Sequence, residues 1–282
     1  MNILITGANG QLGSEIKKIH DQYPQHRFFF TDVEELDITN DTQVSDYLTT
    51  HQIEVVINCA AYTAVDKAEE EEANAKLINE SATEILANAV NEKGGKLIHV
   101  STDYVFNGKT YIPYAEDEQP NPETAYGRSK LAGEKRILEQ NTDAFIVRTA
   151  WLYSEYGKNF VKTMLHLGRE KNSIGVIFDQ VGSPTYALDL AEALIKLADK
   201  KTKGTTFYHY SNEGVCSWYD LAVEIMNHKN YDCRVNALET HEYPAPAKRP
   251  PYSVLNKSKI KRELSIDIPH WRESLKKCLD NL

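Results

Sequence analysis

Tyr126 and Lys130 stand four residues apart at the start of a helical pattern, SKLAGEKRILEQ. This spacing places the phenol and the ammonium on one face of a helix. A free tyrosine has a pKa of about 10, and a nearby cation favours the phenolate and lowers that pKa. Tyr126 could therefore act as a general acid or base toward a carbonyl or a hydroxyl group. Lys130 could also reach the hydroxyls of a ribose.

A second hydroxyl comes from the predicted strand 96–100, which delivers Ser101, Thr102 and Asp103 to its carboxyl end. Ligands of an open α/β sheet bind outside the carboxyl ends of its strands, so Thr102 could hold the reacting oxygen. Tyr and Lys at this spacing are also common on helix surfaces, where they would be a packed ring and a solvated charge. The elements that would position them decide between these interpretations.

The N-terminal segment MNILITGANGQLGSEIKKI predicts a buried strand, a turn with Gly7, Gly10 and Gly13, and then a helix. Glycines at such a turn allow the backbone to approach a pyrophosphate, and the helix N-terminus adds amide donors. The spacing is G-x-x-G-x-x-G rather than G-x-G-x-x-G. The pattern indicates a dinucleotide site, and the alternative is a glycine-rich turn without a ligand.

Asp32 follows the predicted strand 27–31. It lies roughly 20 residues after the glycines, which is the spacing expected of a carboxylate that binds the ribose. Its charge should disfavour the extra phosphate of NADP, so NADH should be at least usable. Asp37 and Ile38 could border the adenine, or Asp37 could begin the next helix. A further predicted strand, 54–59, ends in small residues that would let the backbone pass under a cofactor.

Strands and helices alternate through residue 150, which predicts an α/β fold with a Rossmann-type doubly wound parallel sheet. We assign 1–150 to an NAD(P)-binding domain and 151–282 mainly to a smaller α/β substrate domain. A strand at 174–178 and a helix at 187–199 could return to the first domain. Residues 205–210 alternate like an exposed strand.

The composition excludes several classes of protein. The 282 residues carry a net charge of −9, which argues against general binding to nucleic acid or anionic membranes. No stretch approaches the roughly 20 apolar residues of a membrane span, and the chain enters a strand without a signal peptide. Four scattered cysteines predict free thiols in a reducing cytoplasm and no metal site. We therefore expect a cytoplasmic protein.

Several segments together resemble the extended short-chain dehydrogenase/reductase superfamily: TGANGQLG, NCAAYTAVDKAE, STDYVF and YGRSKLAGE. Others narrow the resemblance to the dTDP-4-dehydrorhamnose reductase family: RTAWLY, NFVKTML, FDQVGSPT and PAPAKRPPYSVLN. The match covers nearly the whole chain. It implies the reduction by NADPH or NADH of the 4-keto group of a dTDP-linked 6-deoxy sugar, in the synthesis of dTDP-L-rhamnose for polysaccharides.

The resemblance also implies roles for individual residues. The catalytic group would be Thr102, Tyr126 and Lys130. The cofactor would be lined by the three glycines and by Gln11, Leu12, Asp32, Asp37, Ile38, Ala61, Tyr62, Thr63, Tyr126 and Lys130. The sugar nucleotide would contact Thr102, Asp103, Tyr104 and Trp151. Trp151 could instead be a core aromatic. Arg249, in a Pro-rich segment, could meet the diphosphate or lie in a solvated loop.

Some members of this family bind Mg²⁺ through glutamates between subunits. Glu15 has a suitable position, but Asp189 stands where a longer acid is expected, so Mg²⁺ is possible and we do not commit to a metal. The expected state is a monomer or homodimer with no nucleic-acid or membrane partner. Two alternatives stay open: another nucleotide-sugar reductase or epimerase, and a non-catalytic regulatory subunit of the methionine adenosyltransferase type. The intact Thr102, Tyr126 and Lys130 set argues against the second.

Overall fold

The computed structural model describes residues 1–282, and its centre is a six-stranded parallel sheet with the order β10-β5-β4-β3-β1-β2. The strands are β1 Asn2–Thr6, β2 Arg27–Thr31, β3 Val55–Asn58, β4 Lys96–Thr102, β5 Ala144–Thr149, β6 Leu152–Tyr153, β7 Ser173–Ile177, β8 Val181–Gly182, β9 Thr185–Tyr186, β10 Thr205–Tyr210, β11 Cys216–Ser217 and β12 Arg234–Leu238. The α-helices are α1 Gln11–Ile19, α2 Asp41–Thr50, α3 Val65–Ala68, α4 Glu72–Lys76, α5 Ala82–Glu92, α6 Ala125–Glu139, α7 Phe160–Glu170, α8 Ala187–Asp199, α9 Trp218–Lys229, α10 Ser258–Leu264 and α11 Trp271–Asp280. No helix combines the length and the apolar character needed to cross a membrane.

The central strands are apolar on both faces because helices cover both faces of the sheet. Successive side chains of a strand point to opposite faces. In β1, Ile3 and Ile5 pack with helices α1 and α8, whereas Leu4 packs with α2 and α5. The predicted doubly wound α/β fold is confirmed.

The last strand of the main sheet is not the predicted one. The segment 174–178 was expected as a candidate to return to the main sheet, but β7 pairs in parallel with β12 in a separate two-stranded sheet. Most of β7 is not buried, which does not suit a strand covered on both faces. The strand β10 joins β5 instead, and its second half is buried rather than exposed. The predicted helix at 187–199 does return, as α8 packed on α1.

The helical pattern predicted for 66–93 is interrupted by a π-helical turn at Leu77–Ser81. This turn places the Asn79 side chain between the loop after β3 and helix α6. The Asn79 amide exchanges two hydrogen bonds with the backbone of Tyr62, at 2.9 and 3.0 Å, and donates to Ser129 Oγ at 3.0 Å. Gly133 permits this approach, because a Cβ there would collide with the Asn79 carbonyl oxygen. The π turn therefore fixes the loop after β3 against α6.

A buried ion pair ties α6 to the sheet. Arg148 of β5 donates to both carboxylate oxygens of Glu134 on α6, at 2.9 and 2.7 Å, and both side chains are almost fully buried. Ser101 of β4 donates to the same carboxylate at 2.5 Å. Bidentate arginine–carboxylate pairs combine strength with a defined geometry. The pair therefore sets how α6 lies on strands β4 and β5.

Replacing Arg148 by Met should lower the free energy of unfolding by about 3–5 kcal/mol, because it leaves the Glu134 charge buried and unpaired. Arg136 offers a matched control, since its side chain is 38% exposed in its ion pair with Glu80. Arg136→Met should cost less than about 1 kcal/mol. Chemical denaturation of the two variants measures both values, and equal losses would contradict the structural role of the buried pair.

Candidate active site

The strand β4 ends at Thr102, where its backbone turns into a short 3-10 helix, Asp103–Val105. Thr102 Oγ1 accepts from the Tyr104 N–H at 3.2 Å and donates to Asp103 Oδ1 at 3.0 Å. The other Asp103 oxygen, Oδ2, has no hydrogen-bond partner although it is buried. Burial raises the pKa of Asp103 to about 7. A hydroxyl and a carboxyl group therefore lie together at the carboxyl end of a central strand.

The helix α6 begins at Thr124, whose Oγ1 accepts from the Gly127 N–H at 3.0 Å. Tyr126 lies in its first turn and Lys130 one turn later, and both side chains are buried. Burial raises the pKa of Tyr126 to about 12, and a hydrogen bond with Thr102 opposes that rise. The lowering that we expected from the Lys130 cation is wrong, because burial, the Thr102 hydrogen bond and the Asp103 charge set this pKa instead. The phenol keeps its proton at neutral pH and can act as an acid.

Two groups of β4 contact Lys130 Nζ. This nitrogen donates to the carbonyl oxygen of Val100 at 2.8 Å and lies 3.2 Å from His99 Nε2. Burial lowers the pKa of Lys130 to about 8, while the charges of Glu134 and Cys59 oppose that shift. The lysine predicted from sequence thus lies in a buried site against β4, and its ammonium is less favoured than in water.

The glycine turn after β1 forms a backbone cradle. Gly7 has a left-handed φ of 63°, and a Cβ there would lie 2.7 Å from the backbone of Ala60. Gly10 caps α1 without any side-chain hydrogen bond, so the N–H groups of the first turn remain available. Gln11 and Leu12 form that turn, with Leu12 packed in the core. This geometry fits a pyrophosphate on the N-terminus of a helix.

The ends of β2 and β3 complete the candidate cofactor surface. Asp32 Oδ2 accepts from the Asn9 N–H at 3.0 Å, which holds the carboxylate beside the glycine turn. Asp37 accepts from the N–H and the hydroxyl of Thr39, so it stabilises its own turn rather than the start of α2. Asn40, with an oxygen 3.1 Å from the Gln43 N–H, is the cap of that helix. The remaining predicted lining residues are Ile38, Ala61, Tyr62 and Thr63, of which Ile38 is buried, Ala61 and Tyr62 are half-buried and Thr63 is exposed.

Trp151 follows β5 and has a left-handed backbone with φ 50°. Its ring stacks on Trp218 of α9, with centroids 3.6 Å apart and planes 9° apart. The residue is half-buried, so one part of the ring is core and another faces solvent. The interpretation as a core aromatic therefore holds in part, and a contact with substrate stays a prediction.

Arg249 does not lie in a free loop. Its guanidinium donates to both oxygens of Asp66 on α3, at 3.1 and 2.7 Å, and Asp66 also accepts from the Ala247 N–H at 3.2 Å. The hydrogen bonds from Arg249 lower the pKa of Asp66, and the charge of Arg249 lies close enough to Tyr104 to influence its phenol. This ion pair brings the Pro-rich segment over the loop after β3, beside Tyr104.

The two residues considered for Mg²⁺, Asp189 and Glu15, are both packed against neighbours within this chain. Asp189 Oδ2 accepts from Asn212 at 2.6 Å and from Ser274 at 2.5 Å. Glu15 is fully buried beside Glu155, and neither of its oxygens accepts from a hydrogen-bond donor. No cluster of three or more His, Cys, Asp or Glu side chains is arranged to hold a metal ion.

Comparisons with known proteins agree with this architecture. A family model described as the RmlD substrate binding domain matches residues 1–282. A dTDP-4-dehydrorhamnose reductase of Aggregatibacter actinomycetemcomitans is 40% identical, over 97% of each chain. The solved structure of a dTDP-4-dehydrorhamnose reductase from Clostridium acetobutylicum is 45% identical, covers 100% of this chain and 99% of its own, and superposes with a TM-score of 0.94. A Bacillus anthracis dTDP-4-dehydrorhamnose reductase, solved in complex with NADP, is 40% identical with the same coverage and TM-score.

Glu15 gives a prediction for the pH dependence of stability. Burial, followed by the Glu155 carboxylate, raises the pKa of Glu15 from 4.5 to about 8. The folded protein then retains a proton that the unfolded chain releases, so this stabilisation is complete below pH 4.5 and is lost as the pH rises to about 8. Glu15→Gln keeps a donor toward Glu155 but cannot ionise.

Relative to wild type, Glu15→Gln should gain at least about 2 kcal/mol of stability between about pH 5 and pH 8. Urea denaturation across that range measures the difference. The matched control is Glu92→Gln at the exposed end of α5, which should follow the wild-type curve. A parallel pair of curves for Glu15→Gln and wild type would contradict the buried protonated carboxyl group.

Proposed function

Because this chain belongs to the dTDP-4-dehydrorhamnose reductase family, we propose that Thr102, Tyr126 and Lys130 carry out the family reaction in it. The protein is an NAD(P)H-dependent oxidoreductase that reduces the 4-keto group of dTDP-4-dehydro-6-deoxy-L-mannose to give dTDP-L-rhamnose. The observation that best supports the assignment of residues is the burial of a protonated Tyr126 beside Thr102, at the carboxyl end of β4.

Tyr126 donates a proton to the sugar oxygen O4 in this proposal. Its pKa of about 12 keeps the phenol protonated until negative charge develops on that oxygen. Thr102 holds O4 by a hydrogen bond, and the surrounding burial excludes water and strengthens both contacts. Proximity and orientation at this point account for much of the rate gain that a protein can supply.

The nicotinamide, when bound, supplies the hydride that reaches C4 of the sugar. Gly7, Gly10 and the first turn of α1 bind the pyrophosphate, and Asp32 accepts from the ribose of the adenosine. Lys130 orients the second ribose and stands beside Tyr126. The product is an alcohol at C4, and Tyr126 must be reprotonated before the next cycle.

On the substrate side, Arg249 is the proposed partner of the diphosphate. Its planar guanidinium suits two phosphate oxygens as it now suits the two oxygens of Asp66. Trp151 offers the part of its ring that Trp218 does not cover. Asp103 and Tyr104 border the sugar next to Thr102.

The choice between the two nicotinamide cofactors should depend on Asp32. A carboxylate at the ribose of the adenosine repels the 2′-phosphate of NADPH, so this chain should use NADH efficiently. Asp32→Ser should raise the ratio of kcat/KM for NADPH over NADH by about tenfold or more, since each 1.4 kcal/mol of lost repulsion is tenfold. The control is Glu34→Ser, which removes a nearby exposed carboxylate. An unchanged ratio in Asp32→Ser would exclude this role.

Tyr126→Phe should lower kcat by about 10²–10⁴-fold, the usual contribution of a general acid, while the dissociation constant of the cofactor stays nearly constant. Tyr153→Phe is a matched control, because it removes another buried hydroxyl that has no hydrogen-bond partner. Steady-state turnover assays give kcat, and fluorescence titration gives the dissociation constant of the cofactor. Near-normal turnover in Tyr126→Phe would show that another group donates the proton.

The function itself is tested by a coupled absorbance assay in which the 4-keto sugar nucleotide is generated in situ and mixed with NADH or NADPH. Loss of reduced cofactor that requires both protein and sugar, with dTDP-L-rhamnose as the product, is the expected result. An epimerase would instead be purified with bound NAD⁺ and would recycle it. A protein that consumes no cofactor but forms a stable complex with another enzyme would be a binding subunit.

A further inference from the structure

His99 lies in the middle of β4, fully buried, next to the proposed active site. Its partner in register on β3 is Asn58. The imidazole bridges two side chains: Nδ1 is 3.1 Å from Asn58 Nδ2, and Nε2 is 3.2 Å from Lys130 Nζ. No spacing pattern marks this histidine, because a single polar residue within an apolar strand has no distinctive periodicity.

The orientation of the Asn58 amide is fixed by its other contacts. Asn58 Oδ1 lies 3.2 Å from the Ala60 N–H and 2.7 Å from Thr6 Oγ1. A backbone N–H can only donate, so the oxygen of the amide must face Ala60. The NH₂ group therefore faces His99 and donates to Nδ1.

The proton of His99 must then be on Nε2. Burial, followed by the charge of Lys130, holds the pKa of His99 well below its usual value, so the ring is neutral. A neutral imidazole has one donor and one acceptor nitrogen, and Nδ1 is the acceptor here. The Nε2–H consequently points at Lys130 Nζ. An ammonium group has only hydrogens to offer it, whereas a neutral amine has a lone pair that accepts it.

We propose that His99 is a positioning residue whose Nε2–H, fixed by Asn58, sets the protonation state and orientation of Lys130. The inference rests on the proposed role of Lys130 at the reacting centre. When Tyr126 has given its proton to the sugar oxygen, the phenolate takes a proton from the Lys130 ammonium. The resulting amine accepts from His99 Nε2–H and later regains a proton from water.

Titratable groups from two other parts of the chain act on the Lys130 ammonium. Glu134, one turn later on α6, and Cys59, just after β3, favour the ammonium, while burial disfavours it. Glu134 is already engaged by Arg148, so its charge is partly compensated. The contact with His99 Nε2–H therefore favours the neutral amine of Lys130 over its ammonium.

The first test needs no substrate and uses the wild-type chain labelled with ¹⁵N-histidine. Among the nine histidines, His99 is assigned from the spectrum of His99→Gln. Its spectrum should show a protonated Nε2 and an unprotonated Nδ1, unchanged from about pH 6 to about pH 9, although a free histidine titrates near 6.5. A proton on Nδ1, or titration within that range, would overturn the proposal even if the protein proves to be an active reductase.

The second test inverts the tautomer with Asn58→Asp. The carboxylate still accepts from Thr6 and Ala60 but now accepts from His99 Nδ1–H, so Nε2 becomes an acceptor for the Lys130 ammonium. The basic limb of the kcat profile should move up by about one pH unit or more, a tenfold gain in proton affinity.

The control for the added charge is the same substitution in a His99→Leu background, where no imidazole can relay it. There the shift caused by Asn58→Asp should be less than half as large. Equal shifts in the two backgrounds would mean that the new charge acts by its field alone. That result, or an unmoved limb in Asn58→Asp, would contradict the role of His99.

Discussion

The bidentate contact between Arg148 and Glu134 is the constraint on which the site depends. Tyr126 and Lys130 are carried by α6, whereas Thr102 is carried by β4, and the two elements meet at angles that backbone hydrogen bonds do not define. The ion pair, to which Ser101 adds a hydrogen bond, fixes α6 on strands β4 and β5. Without it, the phenol and the amine on α6 would not keep a defined position relative to the hydroxyl on β4.

Burial then sets the chemistry of the groups so aligned. It raises the pKa of Tyr126 to about 12 and lowers that of Lys130 to about 8, so burial favours the uncharged form of both groups. The phenol therefore starts as an acid, and the amine is held close to its own titration. Acid and base roles separate when environments shift the pKa values of neighbouring groups.

Much of this arrangement was predictable from the sequence because its signals are local. The glycine turn, the end of β4 and the spacing of Tyr126 and Lys130 each depend on neighbours along the chain. The contacts made by Arg249 with Asp66 and by His99 with Asn58 join distant residues and follow only from the topology of the sheet. The last strand of the main sheet is β10 and not the predicted β7 for the same reason: both segments are short, and only their pairing partners distinguish them.

The fate of the hydride tests the central claim most directly. The protein is incubated with the 4-keto sugar nucleotide and reduced cofactor deuterated at the transferable position, and the sugar is examined by NMR. The account predicts dTDP-L-rhamnose with one deuterium at C4 for each cofactor oxidised. Oxidation of cofactor without deuterium at C4, or conversion of the sugar without net oxidation of cofactor, would contradict it.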